Sequence, residues 1–205
     1  MKIRSEICAG FLLALTLTLG PAATGQAADK KPMTPEQQAM MAQMQKYGTP
    51  GPNHMTLQKA VGRWTHTVRS WMKPGDTAQV SQGMSENSMV LGGRFLKQEA
   101  KGDMNGQMFE GLGYTGFDIL RGEYQSIWMD NMGTGMMIGS GTSDPATQKI
   151  RQTGTFSCPM TGDKATWYRS EWNFVDNDNQ VYTMYFKGPD GKEFKSLEIV
   201  YKRMK

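Results

Sequence analysis

The stretch Lys59-Ala-Val-Gly-Arg-Trp-Thr-His66 places a glycine two residues before a tryptophan at the point where the chain changes period. From Gly62 onward, apolar and polar residues alternate in short runs, the pattern of half-buried strands. The runs are Trp64–Met72, Val80–Met89, Arg94–Lys101, Met108–Phe117, Glu123–Met129, Gly135–Thr142, Lys149–Phe156, Ala165–Phe174, Gln180–Lys187 and Glu193–Tyr201. Turn-forming groups separate them, among them Lys73-Pro-Gly-Asp76, Leu91-Gly-Gly93, Asp144-Pro-Ala-Thr147, Met160-Thr-Gly-Asp163 and Gly188-Pro-Asp-Gly191. Ten runs with no helical pattern between them predict an all-β, antiparallel up-and-down meander. Closing that meander into a barrel of about ten strands removes its exposed edges.

Upstream of this barrel, expected over residues 56–205, two further segments are legible. Lys2 and Arg4 precede an apolar run from Ile7 to Leu19 that is too short to span a bilayer, and Gly25-Gln26-Ala27 supplies a small-x-small cleavage site. Residues 1–27 read as a signal peptide, which directs the chain to a periplasm or out of the cell. Residues 28–55 read as a helical extension with a stiff hinge. Thr34-Pro-Glu-Gln37 combines an N-cap, a proline at the first helical position and a capping-box glutamine, and Gly48 ends the helix before Thr49-Pro-Gly-Pro-Asn53. Met40, Met44 and Tyr47 share one face of that helix, either covering a mouth of the barrel or staying mobile.

Composition narrows the function classes. Removing residues 1–27, which carry Lys2, Arg4 and Glu6, lowers the formal net charge from +4 to +3. Acidic and basic residues are mixed along the rest, with no run of five basic residues, so no nucleic-acid partner is expected. No later stretch approaches the roughly 20 apolar residues of a membrane span. Of the two cysteines, Cys8 leaves with the leader, which strands Cys158 as a small buried thiol with no intramolecular partner.

Gly62-x-Trp64 at the first strand, with Arg203 at the end of the last, resembles the signature of the calycin superfamily, the lipocalins and fatty-acid-binding proteins. That resemblance implies a tryptophan closing the barrel floor with an arginine packed across its ring. The physical logic is an indole plugging the core against water, plus a cation–π contact. A second resemblance covers nearly all of residues 48–205. Thr49-Pro-Gly-Pro-Asn-His54, Leu91-Gly-Gly-Arg-Phe-Leu96, Phe109-Glu-Gly-Leu-Gly-Tyr114, Gly116-Phe-Asp118, Trp128-Met-Asp-Asn-Met-Gly-Thr134 and Pro189-Asp-Gly-Lys-Glu-Phe-Lys195 are similar to an exported bacterial family catalogued as a domain of unknown function. It implies fold and compartment, not chemistry. The chain departs from that family in Phe117, where tyrosine is expected, and in its methionine-rich extension. A more distant likeness, by architecture, is to nitrobindin, whose haem is held by a histidine late in the chain. Here the histidines are His54 and His66, both early, so haem is not expected.

Alternation from Trp64 turns His66 inward, where it reads as a core histidine, while His54 reads as a local helix cap. Other faces carry Met108, Glu110, Leu112 and Tyr114; Tyr124, Ser126, Trp128 and Asp130; and Tyr168, Ser170, Trp172 and Phe174. These apolar and aromatic faces with a few polar atoms suit either a small-molecule cavity or a filled core. The expected cavity residues are His66, Glu110, Tyr114, Trp128, Met136 and Trp172. The leading reading is a non-enzymatic barrel, without cofactor, that binds a small apolar or amphipathic molecule. The alternative is Cu(I) handling through thioethers, since 18 methionines include Met33, Met40, Met41 and Met44 and a second group, Met129, Met132, Met136 and Met137. Met40 and Met44 are the expected ligands there. A barrel enzyme using Glu110, Asp118, Asp130 or Glu171 comes third, because no G-x-S-x-G, H-E-x-x-H, phosphate-loop or Cys-x-x-Cys motif occurs.

Overall fold

Alternation sets the inner and outer faces of ten strands in the computed structural model, which describes residues 32–104 and 106–205. The expected signal peptide lies outside the described residues. The chain divides into two units, residues 1–38 and 39–205. Of the first, residues 32–38 are described and begin helix α1 (Pro35–Gly48). The capping box forms there: the Thr34 amide donates to Gln37 Oε1 at 2.9 Å and the Gln37 amide to Thr34 Oγ1 at 3.3 Å. No residue of α1 is buried.

The second unit continues with α2 (Pro52–Gln58) and the strands β1 (Gly62–Ser70), β2 (Gln79–Val90), β3 (Phe95–Met104), β4 (Gln107–Asp118) and β5 (Glu123–Asp130). It ends with β6 (Met137–Ser143), β7 (Ile150–Cys158), β8 (Asp163–Phe174), β9 (Asn179–Lys187) and β10 (Glu193–Arg203). Each strand pairs antiparallel with its sequence neighbours, and β10 returns to pair with β1. The result is a closed up-and-down barrel, as the ten alternating runs predict. Closure leaves no strand edge unpaired.

Register fixes what faces inward. Trp64 opposes Arg203, His66 opposes Tyr201 and Val68 opposes Ile199 across the β1–β10 seam. At the lower end α2 drops Leu57 into the barrel, and Leu57, Ala60, Leu96, Tyr124, Ile150 and Trp172 form the buried apolar cluster. Tyr124 reaches α2 by donating its hydroxyl to the Asn53 carbonyl at 3.1 Å. Burial of this cluster is the main force holding the floor shut. No helix among the described residues is long and apolar enough to cross a membrane.

Trp64 is 1% exposed and donates its indole N–H to the Ala60 carbonyl at 2.9 Å. The Arg203 guanidinium lies 4.1 Å from its ring centre. Arg203 also donates Nη1 to Val61 O at 2.6 Å, Nη2 to Lys59 O at 3.0 Å and Nε to Asn177 O at 2.6 Å. Gly62 has φ +122, and a Cβ there would meet Arg203 Nη1 at 2.5 Å. The Gly62-x-Trp64 reading of a barrel floor is therefore realised, with glycine required by both conformation and space.

Candidate functional site

Above the floor, inner positions fall into layers. The middle layer is polar. It holds His66 on β1, Ser85 on β2, Gln98 on β3, Ser126 on β5, Gln152 on β7, Ser170 on β8, Tyr182 on β9 and Tyr201 on β10, all turned inward by their register. Ser126 Oγ donates to Gln152 Oε1 at 3.1 Å, and Gln152 Nε2 donates to the Tyr124 carbonyl at 3.3 Å. The His66 ring meets Tyr201 edge to face at 5.5 Å between centroids. Lower down, Trp172 donates to Gln180 Oε1 at 2.9 Å.

Burial tunes these groups toward their neutral forms, because a charge inside the barrel loses its hydration. It lowers the His66 imidazole and raises the Tyr168, Tyr182 and Tyr201 phenols, the last two well above the ordinary tyrosine value. Among the described residues, four buried side-chain atoms have no hydrogen-bond partner: His66 Nδ1, Ser85 Oγ, Asn87 Oδ1 and Gln180 Nε2.

Glycines shape the upper wall. On β4, Gly111 and Gly113 lie under the Trp128 ring, and a Cβ at Gly113 would sit 2.7 Å from Trp128 Cε3. Gly83 plays that part for His66, whose Nε2 would be 2.6 Å from a Cβ, and Gly139 and Gly154 do so for Tyr168. Each ring thus lies flat on the wall instead of projecting across the lumen. The inward Gln98, Ala100, Gly111, Ser126, Trp128, Met137, Tyr182 and Ile199 all keep partial exposure, although alternation turns them away from the outer surface.

At the mouth Trp128 donates to Asp130 Oδ2 at 3.0 Å, while Asp130 Oδ1 accepts the Met132 amide at 3.0 Å. Phe156 stacks on Phe186 at 5.4 Å, and Phe194 meets Phe186 at 6.5 Å. Met72, Met104, Met108, Met132, Met136 and Met160 are exposed in the turns or the adjoining strand ends on this side, opposite Trp64. Two surface hollows lie elsewhere. One, of about 230 Å³, is lined by Tyr47, His54, Arg94, Phe95 and Phe117. The other lies against Thr65, Thr67, Met84 and Lys202 on the outer face, with His66 and Gly83 behind it. Neither includes Trp128 or Trp172.

Of the expected cavity residues, His66, Trp128 and Trp172 face inward, with Trp172 in the floor cluster. Glu110 and Tyr114 require a correction. The pairing Leu96–Thr115 and Phe117–Tyr124 turns Phe109, Gly111, Gly113, Thr115 and Phe117 inward, so Met108, Glu110, Leu112 and Tyr114 face out. Glu110 pairs with Lys101 at 3.1 Å on the surface. The misreading has a physical origin: the inner face of β4 is built on glycines, so its larger side chains sit on the outer one. Met136 precedes β6 and is exposed, while Met137 is the inward member of the pair. Met40 and Met44 are both exposed on α1. His54 Nδ1 accepts the Gly51 amide at 3.1 Å, the local cap read from the sequence.

The carboxylates weighed for catalysis stay apart. Asp118 accepts the Leu120 and Arg121 amides in a turn, and Glu171 is bound on the outer face by Lys149, Arg151 and Arg169. Among the described residues, no group of three or more His, Cys, Asp or Glu side chains is placed to hold a metal ion. Cys158 is free and buried.

A family model described as "Protein of unknown function (DUF1579)" matches residues 49–203. No curated protein matches the chain. Among solved structures, Rv2717c from M. tuberculosis superimposes with a TM-score of 0.58 at 15% identity, covering 77% of this chain and all of that one. This likeness bears on the barrel fold alone. A redesigned β-barrel is similar at 14% identity, covering 73% of this chain and 96% of its own, with a TM-score of 0.39.

Proposed function

We propose that this chain, which belongs to the DUF1579 family of proteins of unknown function, holds a small apolar or amphipathic molecule inside its barrel and performs no chemistry on it. One observation supports the reading most: the inward positions Gln98, Ala100, Ser126, Trp128 and Met137 keep partial exposure, as expected of an interior with room that a filled core would lack. Flattened rings over Gly83, Gly111, Gly113 and Gly154 enlarge that room. The methionines around the mouth suit entry of an apolar guest, because unbranched thioethers repack easily. On the same reading residues 1–27 export the chain to a periplasm or beyond, where it meets its ligand.

Native mass spectrometry of the protein recovered gently from a periplasm, without affinity metal, tests this. The expected spectrum carries an adduct of a few hundred daltons that is lost on Trp128→Arg. A bare chain mass that persists after incubation with lipid extract would sink the reading. A copper-mass adduct would instead favour the thioether alternative through Met40 and Met44.

A further inference from the structure

The outer and inner faces of this barrel differ in one respect beyond polarity. Outside, charges abound and pair: Lys97 with Glu99 at 2.9 Å, Arg69 with Glu198 at 3.4 Å, and Arg169 with both Glu171 and Glu193 at 2.8 Å. Inside, between Arg203 at the floor and Asp130 and Lys164 at the mouth, the inner strand positions carry no Lys, Arg, Asp or Glu. Arg203 is already committed to three carbonyls and the Trp64 ring, and Asp130 to the Trp128 indole and the Met132 amide.

What the interior has instead is a belt of uncharged donors and acceptors at mid-height. It comprises the phenols of Tyr168, Tyr182 and Tyr201, the hydroxyls of Ser85, Ser126 and Ser170, and the His66 imidazole. Two members are at least nine-tenths buried, inward-facing and unpartnered: His66 Nδ1 and Ser85 Oγ, on neighbouring strands. A buried polar atom without a partner carries a free-energy penalty that a hydrogen-bonding guest relieves. An ionised guest would fare differently. A carboxylate or ammonium drawn into this lumen would lose its water and meet no opposite charge, so its desolvation would go uncompensated.

We propose that the lumen selects a neutral amphipathic molecule, one whose apolar body lies against Trp128, Met137 and Ile199 and whose uncharged oxygen, a hydroxyl, ketone or ester, is hydrogen-bonded by the belt at His66, Ser85 and Tyr201. This rests on the reading of the barrel as a binding module. It specifies the chemical class of the guest and excludes ionised fatty acids and phosphorylated lipids.

The test uses the full mature chain loaded with N-phenylnaphthylamine, a neutral fluorophore, and with its anionic counterpart anilinonaphthalene sulfonate, which differs by one charged group. Dodecanol and dodecanoate then compete for the loaded site at neutral pH. The expected result is that the neutral fluorophore binds and that dodecanol displaces it at least about tenfold more effectively than dodecanoate, a difference of ~1.4 kcal/mol. In Tyr201→Phe and Ser85→Ala chains, which keep the ring or the small side chain, the dodecanol preference should shrink several-fold; an unchanged preference in both removes these hydroxyls from the recognition. Equal or better displacement by dodecanoate, or tighter binding of the sulfonate, overturns the neutral-guest proposal while leaving a binding barrel intact. Failure of every probe to bind removes the binding reading itself.

Discussion

The guanidinium of Arg203 stands 4.1 Å from the centre of the Trp64 ring, joining the last strand to the first at the barrel floor. The contact is reinforced by three main-chain carbonyls that no other side chain in the described structure serves in this way. Closure and floor are thus one device.

Arg203→Lys is therefore not conservative. Lysine keeps the charge but loses the fork that reaches Val61, Lys59 and Asn177 together. The expected loss is about 2–4 kcal/mol, from the cation–π term and carbonyls left without donors. Urea unfolding followed by circular dichroism measures it, and a loss below about 0.5 kcal/mol would show that the floor closes without this residue.

Gly62→Ala should cost at least about 1 kcal/mol, because φ +122 is strained for alanine and the new Cβ meets Arg203 Nη1. Combining it with Arg203→Ala should give less than the sum of the two single losses, since the clash disappears with the guanidinium. Strict additivity in a double-mutant cycle would contradict the contact.

Gly113→Ala pushes the Trp128 ring off the wall and into the lumen. We expect destabilisation of about 1–3 kcal/mol and a several-fold drop in neutral-fluorophore affinity. Gly93→Ala, at a turn with φ +84, is the control: it should lower stability without changing affinity. Unchanged affinity in the Gly113→Ala chain would move the ligand away from this wall.

Acid should weaken the fold in two steps. Burial holds His66 and His54 below 6.5, so in the window under that value the unfolded chain binds more protons than the folded one. Stability from these groups is present above about pH 6.5 and drains as pH falls toward their depressed folded values. Glu171 acts at lower pH: burial alone would raise its carboxyl, but Lys149, Arg169 and Arg151 together hold it below its ordinary 4.5. His66→Phe should flatten the first step and leave the second; an unchanged slope between about pH 5 and 6.5 would assign that step elsewhere.

Removing residues 28–46 should leave the thermal midpoint within about 2 °C, because α1 buries no residue. The same chain lacks Met40 and Met44, so Cu(I) binding measured by competition reports directly on the thioether alternative. Retained copper affinity would exclude these two methionines as the ligands.

How far the chain could be read in advance depended on whether the signal was local. Turn chemistry at Leu91-Gly-Gly93 and Gly188-Pro-Asp-Gly191, together with period-two alternation, defined ten strands, and the Thr34–Gln37 capping box located the start of α1 at Pro35. The polar belt was only partly visible, since Tyr182 and Ser85 gain meaning from register with strands next to them in space. Glu110 and Tyr114 went to the wrong face because Gly111 and Gly113 leave no side chain by which the inner face of β4 declares itself. The sequence by itself determined the strands, the floor signature and the closed barrel, because those follow from local periodicity and from the need to cover strand edges. Only the tertiary structure decided which face of β4 turns inward, that the rings lie flat on glycine, and that the inner strand positions between floor and mouth carry no charged residue. Those properties depend on the register between strands and on contacts across the barrel, where residues far apart in sequence meet.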